Sequence, residues 1–217
     1  MKQTLRRTIH TVAWLLAVGG VIGAGILIYI YFTPTAALPR LSTPGNNESV
    51  DGTKKTAKQL TDYTVPPLHP RHLNIPALGI DANILAVGML SSGAMNAPSS
   101  AWDVGWYNKS ALPGSHTGAL LIDGHVNDSL DQPGIFASLH SLTSGDEIRI
   151  ERGDGQLFIY TVVLTEQIAT DKVDMPRLLR SALPEKEGLN LITCGGKYDS
   201  KSNTYTDRVL IYSVRHS

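Results

Sequence analysis

Cys194 is the single cysteine in 217 residues, and it follows the apolar, β-prone run Leu189-Asn190-Leu191-Ile192-Thr193 just before Gly195-Gly196. A thiol at a strand end becomes a nucleophile when a nearby cation favours its thiolate. The same residue can equally be a small buried hydrophobe. Arg208 opens the next β-prone run, and His125 comes directly after Gly124 at the end of another, residues 118–123. In a small barrel, strand ends far apart in sequence can converge at one rim, which is what a thiol–imidazole–guanidinium site requires. There the thiolate would attack a peptide carbonyl and the imidazolium would protonate the leaving amine. The guanidinium and a backbone N–H would receive the oxyanion.

The other titratable groups carry less. His69 and His72 lie in or near a proline-rich stretch and read as solvated, while His116 follows Pro113-Gly114-Ser115 in a turn and His140 sits on a short helix or turn. The seven histidines show no metal-ligand spacing, so no zinc site is expected. Asp123 and Asp207 lie close to His125 and Arg208 along their strands. Alternation turns Asp207 away from its neighbour Arg208, and both aspartates read as outward-facing or structural rather than as a third catalytic member.

The elements that must position these groups are short strands. His72 to Ile75, residues 80–87, 102–107 and 118–126 are β-prone and separated by Pro and Gly. Residues 146–152 alternate strictly and turn through Gly153-Asp154-Gly155 into 157–164, a hairpin by alternation and turn chemistry. Residues 175–183, with Pro176 in the first turn, predict the main helix of this region. With the cysteine strand and a last strand over 208–214, the pattern predicts a mainly β fold: a closed eight-stranded barrel or a sandwich, with one or two short helices.

The remainder of the chain reads as membrane attachment. Residues 1–8 carry Lys2, Arg6 and Arg7 and no acid, and residues 9–32 contain no charge. At about 1.5 Å per residue such a helix crosses a hydrocarbon core roughly 30 Å thick. The basic flank places the N-terminus in the cytoplasm and the rest outside. A cleaved signal peptide is the competing reading. Residues 33–70, rich in Pro, Gly, Asn and Lys, read as a flexible extracellular linker, and 71–217 as the folded domain. Residues 1–70 hold seven Lys/Arg against three Asp/Glu, and 71–217 twelve against sixteen. A mildly acidic body argues against nucleic acid as partner. One cysteine excludes an intramolecular disulfide.

Taken together, Thr193-Cys194 at the end of the apolar run, His125 after Gly124 and Arg208 in the following strand resemble the sortases, membrane-anchored cysteine transpeptidases. The family signature Thr-Leu-x-Thr-Cys meets Asn190 at its first position. The resemblance covers residues 71–217 and implies the sortase β-barrel. It implies Cys194 as nucleophile, His125 as general acid/base, Arg208 as substrate and oxyanion stabiliser, and Thr193 lining the substrate site. It implies cleavage of a C-terminal sorting signal on secreted proteins through a Cys thioester. An amine acceptor, from a cell-wall precursor or a pilin, would then resolve that thioester. Residues 103–107 and 194–196 resemble the actinobacterial-type class F group most, with class D or E as alternatives. No cofactor is required, although Ca2+ at Asn127, Asp128 and Asp131 is a minor option that some sortases use. A non-catalytic anchored β-domain that binds a peptide or wall component, and a hydrolysis-only cysteine peptidase, are the competing functions.

Overall fold

In the computed structural model the structure describes residues 50–91 and 94–216. The membrane span expected over 9–32 and the start of the linker lie outside the described residues. Among the described residues, no helix is long and apolar enough to cross a membrane.

Eight strands close into one barrel in the order β1-β2-β3-β4-β7-β8-β6-β5. They are β1 (Pro70–Ile75), β2 (Ile80–Val87), β3 (Val104–Tyr107), β4 (Ala119–Gly124), β5 (Glu147–Arg152), β6 (Leu157–Ala169), β7 (Gly188–Asp199) and β8 (Thr204–Arg215). The β2–β3 and β4–β7 pairs are parallel and the other pairs antiparallel. Among the described strands, closure leaves no free sheet edge. The barrel is filled by alternate residues of its strands, among them Leu73, Ile75, Leu120, Ile122, Ile148, Ile150, Leu189, Leu191 and Ile211, all fully buried. A second apolar cluster lies on the outer face, where Leu121, Leu210 and Tyr212 are covered by Leu178.

Four local expectations are corrected. Gly195-Gly196 does not end the cysteine strand: β7 runs on to Asp199, and the pairing with β8 shifts register between Gly195 and Tyr198. The pair forms an irregularity inside the strand, with Gly196 at φ +74. Arg208 does not open β8 but lies inside it.

The helix expected over 175–183 is only α2, Met175–Leu178. Asn190 Nδ2 donates to the carbonyls of Leu178 and Arg180 at 2.8 and 3.0 Å, and Ala119 N donates to that of Leu179 at 3.2 Å. Those carbonyls are therefore bound outside the helix, which stops. This accounts for Asn190 at the departing signature position: it is fully buried and ties β7 to the segment after α2.

Residues 50–69 are also not a loose tether. A capping box between Thr56 and Gln59 starts the short helix α1, Ala57–Thr61. Val50 is buried, and the Tyr63 hydroxyl donates to Ile84 O at 2.8 Å. Composition misses these contacts because they are made by single side chains rather than by an apolar periodicity.

Candidate active site

Register decides what meets Cys194 inside β7. Cys194 stands directly opposite Arg208 in the antiparallel β7–β8 pair. Directly opposed residues project to the same face, about 4.5–5.5 Å apart at Cβ. Thr193 and Val209, one step away, turn inward and are 4% exposed each, so Cys194 and Arg208 share the outer face. On the other flank β4 runs parallel to β7, with Asp123 opposite Ile192. Thr193 Oγ1 donates to Gly124 O at 2.8 Å, continuing that contact past the ladder. The residue after Gly124 is His125, and the residue after Thr193 is Cys194. One buried hydrogen bond therefore ties together the two residues that immediately precede the imidazole and the thiol.

The Arg208 guanidinium is held by residues of its own strand and by Thr170. Its Nη1 donates to Thr170 Oγ1 at 2.9 Å and to the carbonyls of Tyr205 and Asp207 at 3.1 and 2.8 Å, and Nη2 donates to Thr204 Oγ1 at 3.1 Å. Burial pushes the Cys194 thiol up; the Arg208 charge pulls it back and Asp123 adds a smaller upward push. Burial holds the His125 imidazole below its ordinary value, opposed by its hydrogen bond to Pro98. That bond, from Nε2 to Pro98 O, is 2.7 Å long. A carbonyl can only accept, so Nε2 carries the proton and Nδ1 is the basic nitrogen of the neutral ring. Both shifts favour the uncharged pair, thiol and imidazole.

Asp123 is better placed than the outward or structural role expected of it. It stands opposite Ile192, two residues before Cys194, and so falls on the face of Cys194. Burial raises its carboxyl well above the ordinary value, opposed in part by the backbone N–H groups of Asp123 itself and Gly105, and among the described residues Oδ1 has no hydrogen bond of normal geometry. Gly105 lets it sit there: a Cβ at that position would meet Oδ1 at 2.3 Å. Asp207, opposite Gly195, accepts from Gln167 Nε2 at 2.6 Å.

A cavity of about 350 Å3 opens at Cys194 and is lined by Thr193, Phe136, His140, Gln167 and Tyr205 among others. Thr193 lines this cavity, with its hydroxyl spent on Gly124. His140, Gln167 and Tyr205 come from three separate segments, and no local sequence pattern marks them for the cleft. A larger cavity, about 590 Å3 by Arg177, Arg180 and Tyr212, contains neither a thiol nor an imidazole. In the acidic loop, Asp128 Oδ1 accepts from Leu130 N and Gln132 N, and Asn127 Nδ2 donates to Asp131 Oδ1. Among the described residues, no three His, Cys, Asp or Glu gather as a metal site.

Comparison with known proteins gives a consistent picture. A family model described as "Sortase domain" matches residues 73–216. A lid mutant of sortase A from Corynebacterium diphtheriae superposes with a TM-score of 0.52 at 22% identity, over 70% of this chain and 71% of that one. A pilus-related sortase C of Group B Streptococcus gives 0.51 at 19% identity, over 82% and 80%. Sortase C-1 from Actinomyces oris gives 0.50 at 20%, over 74% and 80%. At these identities the superpositions speak for the fold. No curated protein sequence matches.

Proposed function

Because this chain belongs to the sortase family of cysteine transpeptidases, we propose that Cys194, His125 and Arg208 form its catalytic site and transfer the acyl part of a sorting signal to an amine. The observation that carries this reading is the register: Arg208 stands opposite Cys194, and the Thr193–Gly124 bond joins the residues that immediately precede the thiol and the imidazole, which supports a site shared by the three. The Cys194 Sγ attacks the scissile carbonyl carbon, having passed its proton to Nδ1 of His125. The guanidinium of Arg208 stabilises the oxyanion. As the C–N bond breaks, the imidazolium returns that proton to the leaving amine and a thioester remains on Cys194. An incoming amine then attacks the thioester carbonyl and gives up a proton to His125, and the thiolate departs. Because the resting pair is neutral, only the minor thiolate–imidazolium form is reactive.

The sequence supports the finer parts of this reading. The uncharged residues 9–32 behind a basic flank support a signal anchor, with the barrel on the outer face of the membrane. The substrates are then secreted proteins with a C-terminal sorting signal, and the acceptor is an amine of a cell-wall precursor or a pilin. Residues 103–107 and 194–196 support a class F reading, with class D or E as alternatives. A library of sorting-signal peptides, incubated with and without an amine such as hydroxylamine or triglycine, tests the proposal. Transpeptidation predicts an amine-containing product that Cys194→Ala does not form. A product unchanged by amine points to hydrolysis alone, and wild-type turnover by Cys194→Ala overturns the site.

A further inference from the structure

Residues 50–55 run along the two loops that flank His125. Asp51 N donates to Ser99 O at 2.7 Å, and Ala101 N donates to Asp51 O at 2.8 Å, forming a parallel bridge with Ser100. Trp102 Nε1 donates to Gly52 O at 2.7 Å, and the Lys54 ammonium stands 4.3 Å from the centre of the Trp102 ring. Lys55 Nζ lies 2.7 Å from Asp103 Oδ2, on a carboxylate only 3% exposed. The other oxygen of Asp103 has no hydrogen-bond partner among the described residues, so Lys55 is what compensates that buried charge. On its other side Gly52 touches the loop after His125, where a Cβ would fall 2.2 Å from Asp128 Oδ2.

The loop held in this way also holds the histidine. Pro98 O receives the Nε2 proton of His125 at 2.7 Å. Ile135 N donates to Ala101 O and Phe136 N to His125 O, both at 2.9 Å, which stitches the two loops to each other. We propose that residues 50–55 are a positioning strap for His125, clamping the 98–103 loop so that Pro98 holds the protonated Nε2 and leaves Nδ1 as the basic atom that takes up a proton. The inference rests on the proposed role of His125. It makes the chain just before the barrel part of the catalytic setting, with Lys55 and Trp102 as positioning residues that need not touch substrate. The elements around His125 carry ionisable groups of their own, among them Asp51, Lys54 and Lys55 on the strap, Asp123 on β4, Cys194 on β7, Tyr205 and Arg208 on β8, Asp103, Asp128 and Asp131 in the loops, and His140.

The test uses the full chain, with Lys55→Met and Trp102→Phe as perturbations and Lys55→Arg as the conservative replacement. NMR of 13C-labelled histidine follows the His125 ring, assigned by its loss in His125→Asn, beside kcat, KM and thermal stability. Burial is the larger influence on this ring, so a loosened loop lets water in and moves its midpoint up towards 6.5. Expected for Lys55→Met is that upward shift together with a kcat loss of about 3–30-fold at a KM within about twofold. Lys55→Arg should restore both readouts. Trp102→Phe keeps the aromatic ring, removes one hydrogen bond and should move both in the same direction by less. An unmoved His125 titration and unmoved kcat in both variants, whatever happens to stability, overturns the strap. Full turnover by His125→Asn is a separate result: it removes the catalytic reading of His125, while the titration still reports whether the strap holds the ring.

Discussion

Replacing Thr193 with valine deletes one hydroxyl and little else. The side chain is 4% exposed and its Oγ1 donates to the buried Gly124 carbonyl at 2.8 Å. Valine keeps the volume, so no cavity cost is added. Removing one partner of a buried hydrogen bond costs about 1–2 kcal/mol. For a domain of this size that corresponds to a Tm drop of roughly 2–8 °C. The bond lies one residue before Cys194 and one before His125, so its loss lets the two strand ends drift. A displacement near 1 Å at such a site costs on the order of 100-fold in rate, and a kcat loss of about tenfold or more is expected. Thr193→Ser separates the hydrogen bond from the packing. It keeps the hydroxyl and loses a methyl worth about 0.8 kcal/mol, so it should be destabilised yet retain most of its kcat. Calorimetry and steady-state transpeptidation on the three proteins read both effects. Equal kcat loss in the serine and valine variants, or a valine variant with wild-type kcat and Tm, refutes the reasoning.

The pH dependence of kcat/KM should be a broad bell. Its acid limb lies below 6.5, where His125 titrates, and its alkaline limb above 9.0, where Cys194 titrates. A narrow bell lying inside those bounds contradicts the buried, neutral pair. Asp123→Asn should be stabilising relative to wild type, increasingly so as pH rises. The folded carboxyl titrates well above 3.8, so the unfolded chain releases its proton first and wild-type stability falls between the two values. A stability difference that does not change between pH 4 and 8 speaks against this. Glu187, 2% exposed, accepts from Gly114 N at 3.0 Å and His116 N at 3.2 Å, bonds the Tyr160 hydroxyl and pairs with Arg215 at 3.4 Å. Glu187→Gln turns an NH2 towards these donors and should cost about 2–4 kcal/mol in urea unfolding, with kcat per folded molecule unchanged. A loss below about 0.5 kcal/mol contradicts its role as a buried hub.

Much of the barrel is legible because strands 146–152 and 157–164 alternate and are punctuated by glycine. The outer-face cluster is less so. Leu121, Leu210 and Tyr212 interrupt alternation by being buried on the side away from the barrel interior, which makes those strands look uniformly apolar. The length of α2 escapes sequence reasoning because Asn190, more than ten residues downstream, takes the carbonyls that a longer helix would use. At the site, residue types point to Cys194, His125 and Arg208. The position of Arg208 opposite the thiol is a matter of register, which depends on how β7 and β8 pair. Asp123 is likewise a matter of pairing: its place opposite Ile192 in the parallel β4–β7 pair sets it on the face of Cys194. The strap at 50–55 looks disordered in composition because lysine, glycine and aspartate make its contacts, through ion pairs and backbone bonds instead of buried apolar area.

The central claim is that Cys194 carries the acyl group. Intact-protein mass spectrometry of the wild-type chain with a cleaved sorting-signal peptide, quenched in acid before amine is added, measures this directly. The account predicts an adduct with the mass of the N-terminal acyl fragment, localised to the peptide containing Cys194, lost on adding amine and absent from Cys194→Ala. Amine-dependent product formation without that adduct, at an undiminished rate in Cys194→Ala, contradicts it.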